Sequence, residues 1–242
     1  MNFGRRQIHL CAALFLWATL PAQARAEGPI IDMDYDEVAG IVPGHVGFST
    51  LSDRAYPGYT LNAGYAFAGG RIGEHFAGQM VGEVTQDGDR FDQITGTPSA
   101  PLTVQNGPPD RNISISLHRA FGSNALYPLG PVGQPAPEGR GEGAVSVQFT
   151  PPVCAVGLRI HTEYLNDLGT TDAHQGAVTI RFFGADGAIL ADLPLTLGAG
   201  INDLGFGHHR FRGEIAGIQI ENRDPGGISV DDLRFGCQPA TS

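Results

Sequence analysis

AVTIRFFGADGAILADLPL, residues 177–195, is the stretch on which the fold turns. Val178, Ile180 and Phe182 alternate with Thr179 and Arg181, the period of two of a strand that buries one face. Asp186-Gly187 supplies turn chemistry and Ile189-Leu190 begins a return, so the stretch predicts a β-hairpin. The alternation recurs in AVSVQF (144–149), VCAVGLRIH (153–161) and GEIAGIQIEN (213–222). In the last of these, Ile218 and Ile220 fall on one face and Gln219 and Glu221 on the other. The 35 glycines and 17 prolines sit between short apolar runs, which argues for many short antiparallel strands joined by tight turns. No segment after the N-terminal leader reads as a convincing amphipathic helix; EHFAGQMVGEV (74–84) comes nearest, and its two glycines weaken it.

Between Thr95 and Gly143 prolines cluster around one candidate strand, NISISLHRAF (112–121). The run from Pro128 to Gly143 is expected to be a long surface loop. The first expected strand, IIDMDYDEV (30–38), lies before this region, and both later cysteines lie after it. A jelly roll needs its N-terminal strand to complete a sheet. The expectation is therefore one domain over 27–242: an all-β, antiparallel jelly-roll β-sandwich with a long Pro/Gly-rich insertion loop.

Residues 1–26 read as a secretory signal peptide: a positive start in MNFGRR, an apolar run from Ile8 to Leu20, and the small-x-small site Ala24-Arg25-Ala26. Arg5-Arg6 also resembles part of a twin-arginine export signal. The leader takes with it the only tryptophan, Trp17, and Cys11. Every basic residue of the chain is an arginine, and 12 of the 15 follow the leader, facing all 25 acids for a net charge of about −13. Such a surface repels nucleic acid and anionic lipid. No later apolar run is long enough to span a bilayer, so the expectation is a secreted or periplasmic protein with no membrane anchor. In an oxidising compartment Cys154 and Cys237 are expected to pair.

GGISVDDLRFGC (226–237) places two acids in mid-strand. Ile228 and Val230 share one face and Leu233 and Phe235 the other, so the apolar alternation changes phase across Asp231-Asp232, which calls for a bulge. On this phase Asp231 lies with Leu233 and Phe235 and points inward, where a charge must be paired or bound. Asp232 is then outward and dispensable. This ending, with LGFGHHRFRGEIAGIQIEN before it and FTPPVCAVGLRIH and VTIRFFGADGAIL further upstream, resembles the C-terminal half of bacterial secreted jelly-roll domains of the galactose-binding-like type. The resemblance covers about Val147 to Phe235. For related carbohydrate-binding modules it implies a structural calcium held by Asp231, with Asp32 or Asp34 as partner, oxygen ligands that suit that ion. The alternative for Asp231 is pairing with backbone N–H groups or an arginine.

The resemblance also implies a glycan ligand. Sugars stack on flat rings, and without tryptophan the available rings are Tyr56, Tyr59 and Tyr65 of RAYPGYTLNAGYAF (54–67). The same tyrosines could instead cap the edge of the core. His161-x-Glu163 with His174, and His208-His209, raise zinc, but no HExxH or paired-cysteine motif accompanies them. Glu163, Asp167 and Asp172 could form a second, weak calcium site. Asp87, Asp89 and Asp92 read as a solvated turn, and no Gly-x-Ser-x-Gly elbow is present. Function thus narrows to three classes: an exported binding or surface-interaction module with a glycan as the implied ligand, a secreted polysaccharide-active hydrolase or lyase, and a structural extracellular matrix protein without a small ligand. No catalytic motif marks the chain as an enzyme.

Overall fold

A computed structural model describes residues 29–162 and 174–238; the leader, Glu163, Asp167 and Asp172 lie outside them. Two antiparallel sheets face each other. The larger runs in the order Ile30–Met33, Gly200–His208, Ala155–Thr162, Ile228–Gly236, Ser123–Pro128, Ile113–His118, Tyr59–Leu61, with Gly44–Val46 also paired to Ile228–Gly236. The smaller runs Ile189–Thr196, Ala177–Phe183, Ile215–Asn222, Val145–Val153, Gly70–Gly73, Tyr65–Phe67. From Val145 onward the chain passes back and forth between the two: smaller, larger, a hairpin in the smaller, then larger, smaller and larger again. That alternation is the jelly-roll wrap. The 177–195 hairpin forms as its sequence requires, with Val178 opposite Leu195 and Ile180 opposite Leu193.

Between the sheets lies one apolar core, to which Val147, Ile180 and Ile220 come from one side and Ile115, Leu158 and Val230 from the other. Gln219 and Glu221 do point away from this core, yet they are buried as well. A hairpin of Met80–Gln86 and Asp89–Thr95 covers them. The Ile94 amide donates to Glu221 Oε2 at 3.1 Å, and Gln79 Nε2 to Gln219 Oε1 at 3.1 Å. Buried polar groups here are satisfied by this third layer.

Two expectations, for IIDMDYDEV and for the 128–143 loop, are corrected. The stretch IIDMDYDEV is a strand only as far as Met33. Asp34 then caps a helix, Tyr35–Ile41, accepting from the amides of Asp36 at 2.8 Å and Glu37 at 3.3 Å. An acid at the cap and two in the first turn satisfy the helix's free N–H groups and its dipole, and Tyr35 and Val38 seat against Gly157 of the larger sheet. The segment 74–84 is not helical: it holds the strand His75–Phe76, a turn at Gly78 and the start of the covering hairpin. The 128–143 loop is not merely superficial, because Leu129, Arg140 and Glu142 are buried. Its return is fixed by Gly141, at φ +92°, where a Cβ would lie 2.5 Å from the Ile228 nitrogen.

The phase change at Asp231-Asp232 is a bulge. Gly157 pairs with Arg234 while Arg159 pairs with Asp231, so two steps on one strand match three on the other. Asp232 takes φ +50°. Val230 and Leu233 can therefore both enter the core, and Asp231 is left on the outer face of the larger sheet, buried but not in the apolar core. Cys154 and Cys237 form the expected disulfide across 83 residues.

Candidate functional site

With Ile113 and Ile115 turned inward, Ser114, Ser116 and His118 emerge on the outer face of the larger sheet. By the same alternation Tyr127, His161, Ser229 and Asp231 join them from three neighbouring strands. Ser114 is opposite Tyr127 and His161 opposite Ser229, and the Leu126–Val230 pair sets Tyr127 beside Ser229. These four make a row across the sheet. All are buried, so this face is covered rather than solvated.

Arg140, from the 128–143 loop, forms part of the cover. Its Nη2 donates to Ser116 Oγ at 2.7 Å. The guanidinium carbon sits 3.5 Å from the Tyr127 ring centroid and 5.3 Å from that of Tyr56, a cation between two π faces. His118 and His161 meet edge to face at 4.5 Å, with Phe121 4.7 Å from His118. Burial, then the neighbouring His161 and the Arg140 charge, push His118 down to about 3. His118 Nδ1 accepts the Phe121 amide at 3.2 Å, so the neutral ring carries its proton on Nε2. Burial lowers His161 too, against the pull of Asp224. Among these side chains Ser114 Oγ, Ser229 Oγ and Arg140 Nε are buried and have no hydrogen-bond partner among the described residues.

Of the three tyrosines, Tyr56 alone reaches this cluster, and its hydroxyl donates to the Pro135 carbonyl. Tyr59, on the edge strand, donates to the Ser52 carbonyl at 3.1 Å and lies under Arg54. Tyr65 belongs to the other sheet and packs edge-on against Phe48 at 5.3 Å. The expected platform of three rings is therefore not assembled.

The expected calcium ligands do not converge either. Asp32 pairs with Phe206, which lies level with Val156 and then Phe235. That is three strands away from Asp231, about 14 Å at the usual strand spacing, and four residues out of step. The Asp34 carboxylate is spent on its helix. Among the described residues no three His, Cys, Asp or Glu side chains are grouped to hold a metal ion. Asp231 instead accepts from Ser123 Oγ at 2.7 Å, and burial raises its carboxyl above the ordinary range. His174 sits 3.0 Å from Thr162 Oγ1, and His208 pairs with Glu214 at 3.2 Å, both away from any shared ion.

Of Asp87, Asp89 and Asp92, expected in a solvated turn, Asp87 is exposed at a turn but Asp92 is not. Asp92 is buried on the inner side of the covering hairpin, beside Glu142 and Glu74. Its amide donates to the Glu142 carbonyl at 3.2 Å, and its Oδ2 accepts the Ala144 amide at 3.0 Å. Burial pushes Asp92 up to about 7 and Glu142 up to about 8. Both carboxyls face protein, not a cleft of the kind a two-carboxylate hydrolase uses.

Sequence reasoning passed over Ser114, Ser116, Ser229 and Arg140. Ser114 and Ser116 left a signal, since ISISLH puts polar side chains, Ser114, Ser116 and His118, at every second place among apolar ones. Arg140, in a loop, left none.

No protein-family model matches the chain, and no curated protein matches it in sequence. Among solved structures a match is a mutant of CBM29-2, a family 29 carbohydrate-binding module complexed with mannohexaose. It is 13% identical and the match covers 52% of this chain and 84% of that one, with a TM-score of 0.18. The fold class and the site described above rest on this chain's own strands and side chains.

Proposed function

We propose that the protein is an exported glycan-binding module whose recognition face is the outer side of the larger sheet around Ser114, Tyr127, Ser229 and His161, which a ligand reaches by displacing Tyr56 from its place over Arg140. One observation carries this: among the described residues Ser114 Oγ, Ser229 Oγ and Arg140 Nε have no partner, beside the rings of Tyr127 and His118. A buried polar group left unsatisfied costs about 1–3 kcal/mol. A ligand dense in hydroxyls repays that cost while laying its C–H face on the rings. Export rests on the leader, and a net charge of about −13 after it makes nucleic acid an unfavourable partner.

The test is an oligosaccharide array followed by calorimetry on any bound glycan. Ser114→Ala and Ser229→Ala are each expected to weaken binding about tenfold, the loss of one hydrogen bond, with no fall in melting temperature. An array on which no glycan binds overturns the proposal.

A further inference from the structure

Among the described residues the cation at this face has no counter-ion within ion-pair distance. Arg140 is only 8% exposed, and among the described residues its side-chain hydrogen bond goes to a neutral hydroxyl, Ser116 Oγ. Its flat faces meet Tyr127 and Tyr56, which are neutral. The acids nearby look elsewhere. Glu138 acts, like Arg140, on Tyr56 but is exposed to solvent; Glu142 is buried among the charges of Asp89, Glu138, Arg90 and Asp92; Asp231 is held by Ser123 and feels Asp232 and His45. His118 and His161, the two groups able to add or remove charge here, are held neutral by burial. A buried guanidinium without an anion is costly, and removal of one partner of such a pair shows how strongly the remaining charge seeks another. Its Nε is the free donor, and Nε with an adjacent Nη is the edge that takes a carboxylate or sulfate in a two-bond fork.

We infer that the glycan bound at this face is acidic, with a carboxylate or sulfate group seated on Arg140 and Tyr56 folded over it. The inference rests on the glycan-binding reading and deepens it. Tyr56 stands at the rim of the site, with residues 52–55 and Pro57 around it all exposed, while Tyr127 beneath Arg140 belongs to a strand. The acidic surface of the protein disfavours loose anion binding, so selectivity for an anion reports this one cation rather than a general charge effect.

The experiment is calorimetry with matched pairs of probes: oligomers of galacturonate, glucuronate and mannuronate beside their methyl esters, a sulfated galactan fragment beside its desulfated form, and sodium sulfate alone. At least one acidic probe is expected to bind ten-fold or more tightly than its neutral partner. Arg140→Gln should erase that preference. Arg140→Lys, which keeps the charge without the fork, should retain part of it. Ser116→Ala, which frees the guanidinium without removing it, guards against a misfolded Arg140 variant and should weaken the acidic probe selectively. Equal binding of neutral and acidic partners overturns the inference and leaves the glycan reading intact. Arg140-dependent binding of sulfate with no oligosaccharide bound overturns the glycan reading, and with it the acidic sugar. Binding of no probe overturns both.

Discussion

Arg159 Nη1 donates to Asp232 Oδ2 at 2.8 Å, tying the bulge of the last strand to its neighbour in the sheet. His45 Nε2 lies 2.8 Å from the other carboxylate oxygen, and Tyr35 Oη donates to the Asp232 carbonyl at 3.0 Å. Asp232, expected to be dispensable, thus joins the first helix, the strand Gly44–Val46 and the strand Ala155–Thr162 at one point.

Asp232→Ala should consequently destabilise the protein by about 1–2 kcal/mol. Part is the loss of partly exposed ion pairs, each worth about 0.2–1 kcal/mol, and part is the strain of a Cβ-bearing residue without a local polar side chain at φ +50°. Asp232→Gly loses the pairs but relaxes the backbone, so it should cost less than alanine. Urea unfolding of the two variants decides it; equal stability of alanine and parent would show that the bulge does not depend on this side chain.

Much of the sandwich was legible in the sequence because its strands are short and amphipathic. Val178, Ile180 and Phe182 alternate with polar residues, and the Asp186-Gly187 turn has few other uses. The phase break at Asp231-Asp232 correctly announced a bulge, but which acid it would displace depends on the backbone at Asp232, and alternation alone cannot report a positive φ. The helix at Tyr35 was hidden because seven residues give too few turns for periodicity, and the Asp34 cap was read as a metal ligand. Asp92 looked solvated, and the burial of Gln219 and Glu221 went unseen, because nothing local says that a hairpin folds over the outer face of a sheet. The site was least legible of all: Ser114 and Ser229 come from strands far apart in sequence, and Arg140 from a loop.

Stability should fall as pH rises above neutrality. Burial raises Asp92 to about 7 and Glu142 to about 8, so between the ordinary carboxyl range and those values the folded state holds more protons than the unfolded one, and stability drops with rising pH. His118, at about 3, and the similarly lowered His161 act the other way: the unfolded state holds more protons there, and stability grows until the unfolded histidine value near 6.5. The acids act unopposed by these two histidines from about pH 6.5 to 8. Denaturant midpoints should decline across that window in the parent and flatten in Asp92→Asn and Glu142→Gln. A parent midpoint that is flat or rises over the window contradicts the burial assigned to these acids.

Reducing Cys154–Cys237 should cost about 2–5 kcal/mol, since the bond closes most of the C-terminal half into one loop, its ends 83 positions apart. It also pins the last strand where the chain would otherwise fray. Cys154→Ser with Cys237→Ser should melt lower than the oxidised parent and show no further change on adding a reductant. An unchanged melting temperature in the double variant would mean that the hydrogen bonds of the last strand suffice.

Gly141→Ala should damage binding and stability together. The residue sits at φ +92°, and a Cβ would meet the Ile228 nitrogen at 2.5 Å, where the Ile228 amide donates to the Gly141 carbonyl at 2.9 Å. Backbone cannot give way as a side-chain tip can, so the loop must lift from the last strand. Arg140, one residue before, would move off Ser116 and Tyr127 with it, while the covering hairpin, attached through Glu142, would loosen. A loss of about 2–4 kcal/mol is expected, a left-handed position being strained for alanine and a close backbone contact adding to it. Unfolding by urea measures the stability and calorimetry the glycan affinity. A variant of full stability that still binds as the parent does would show that the 128–143 loop is not what holds Arg140 over the sheet.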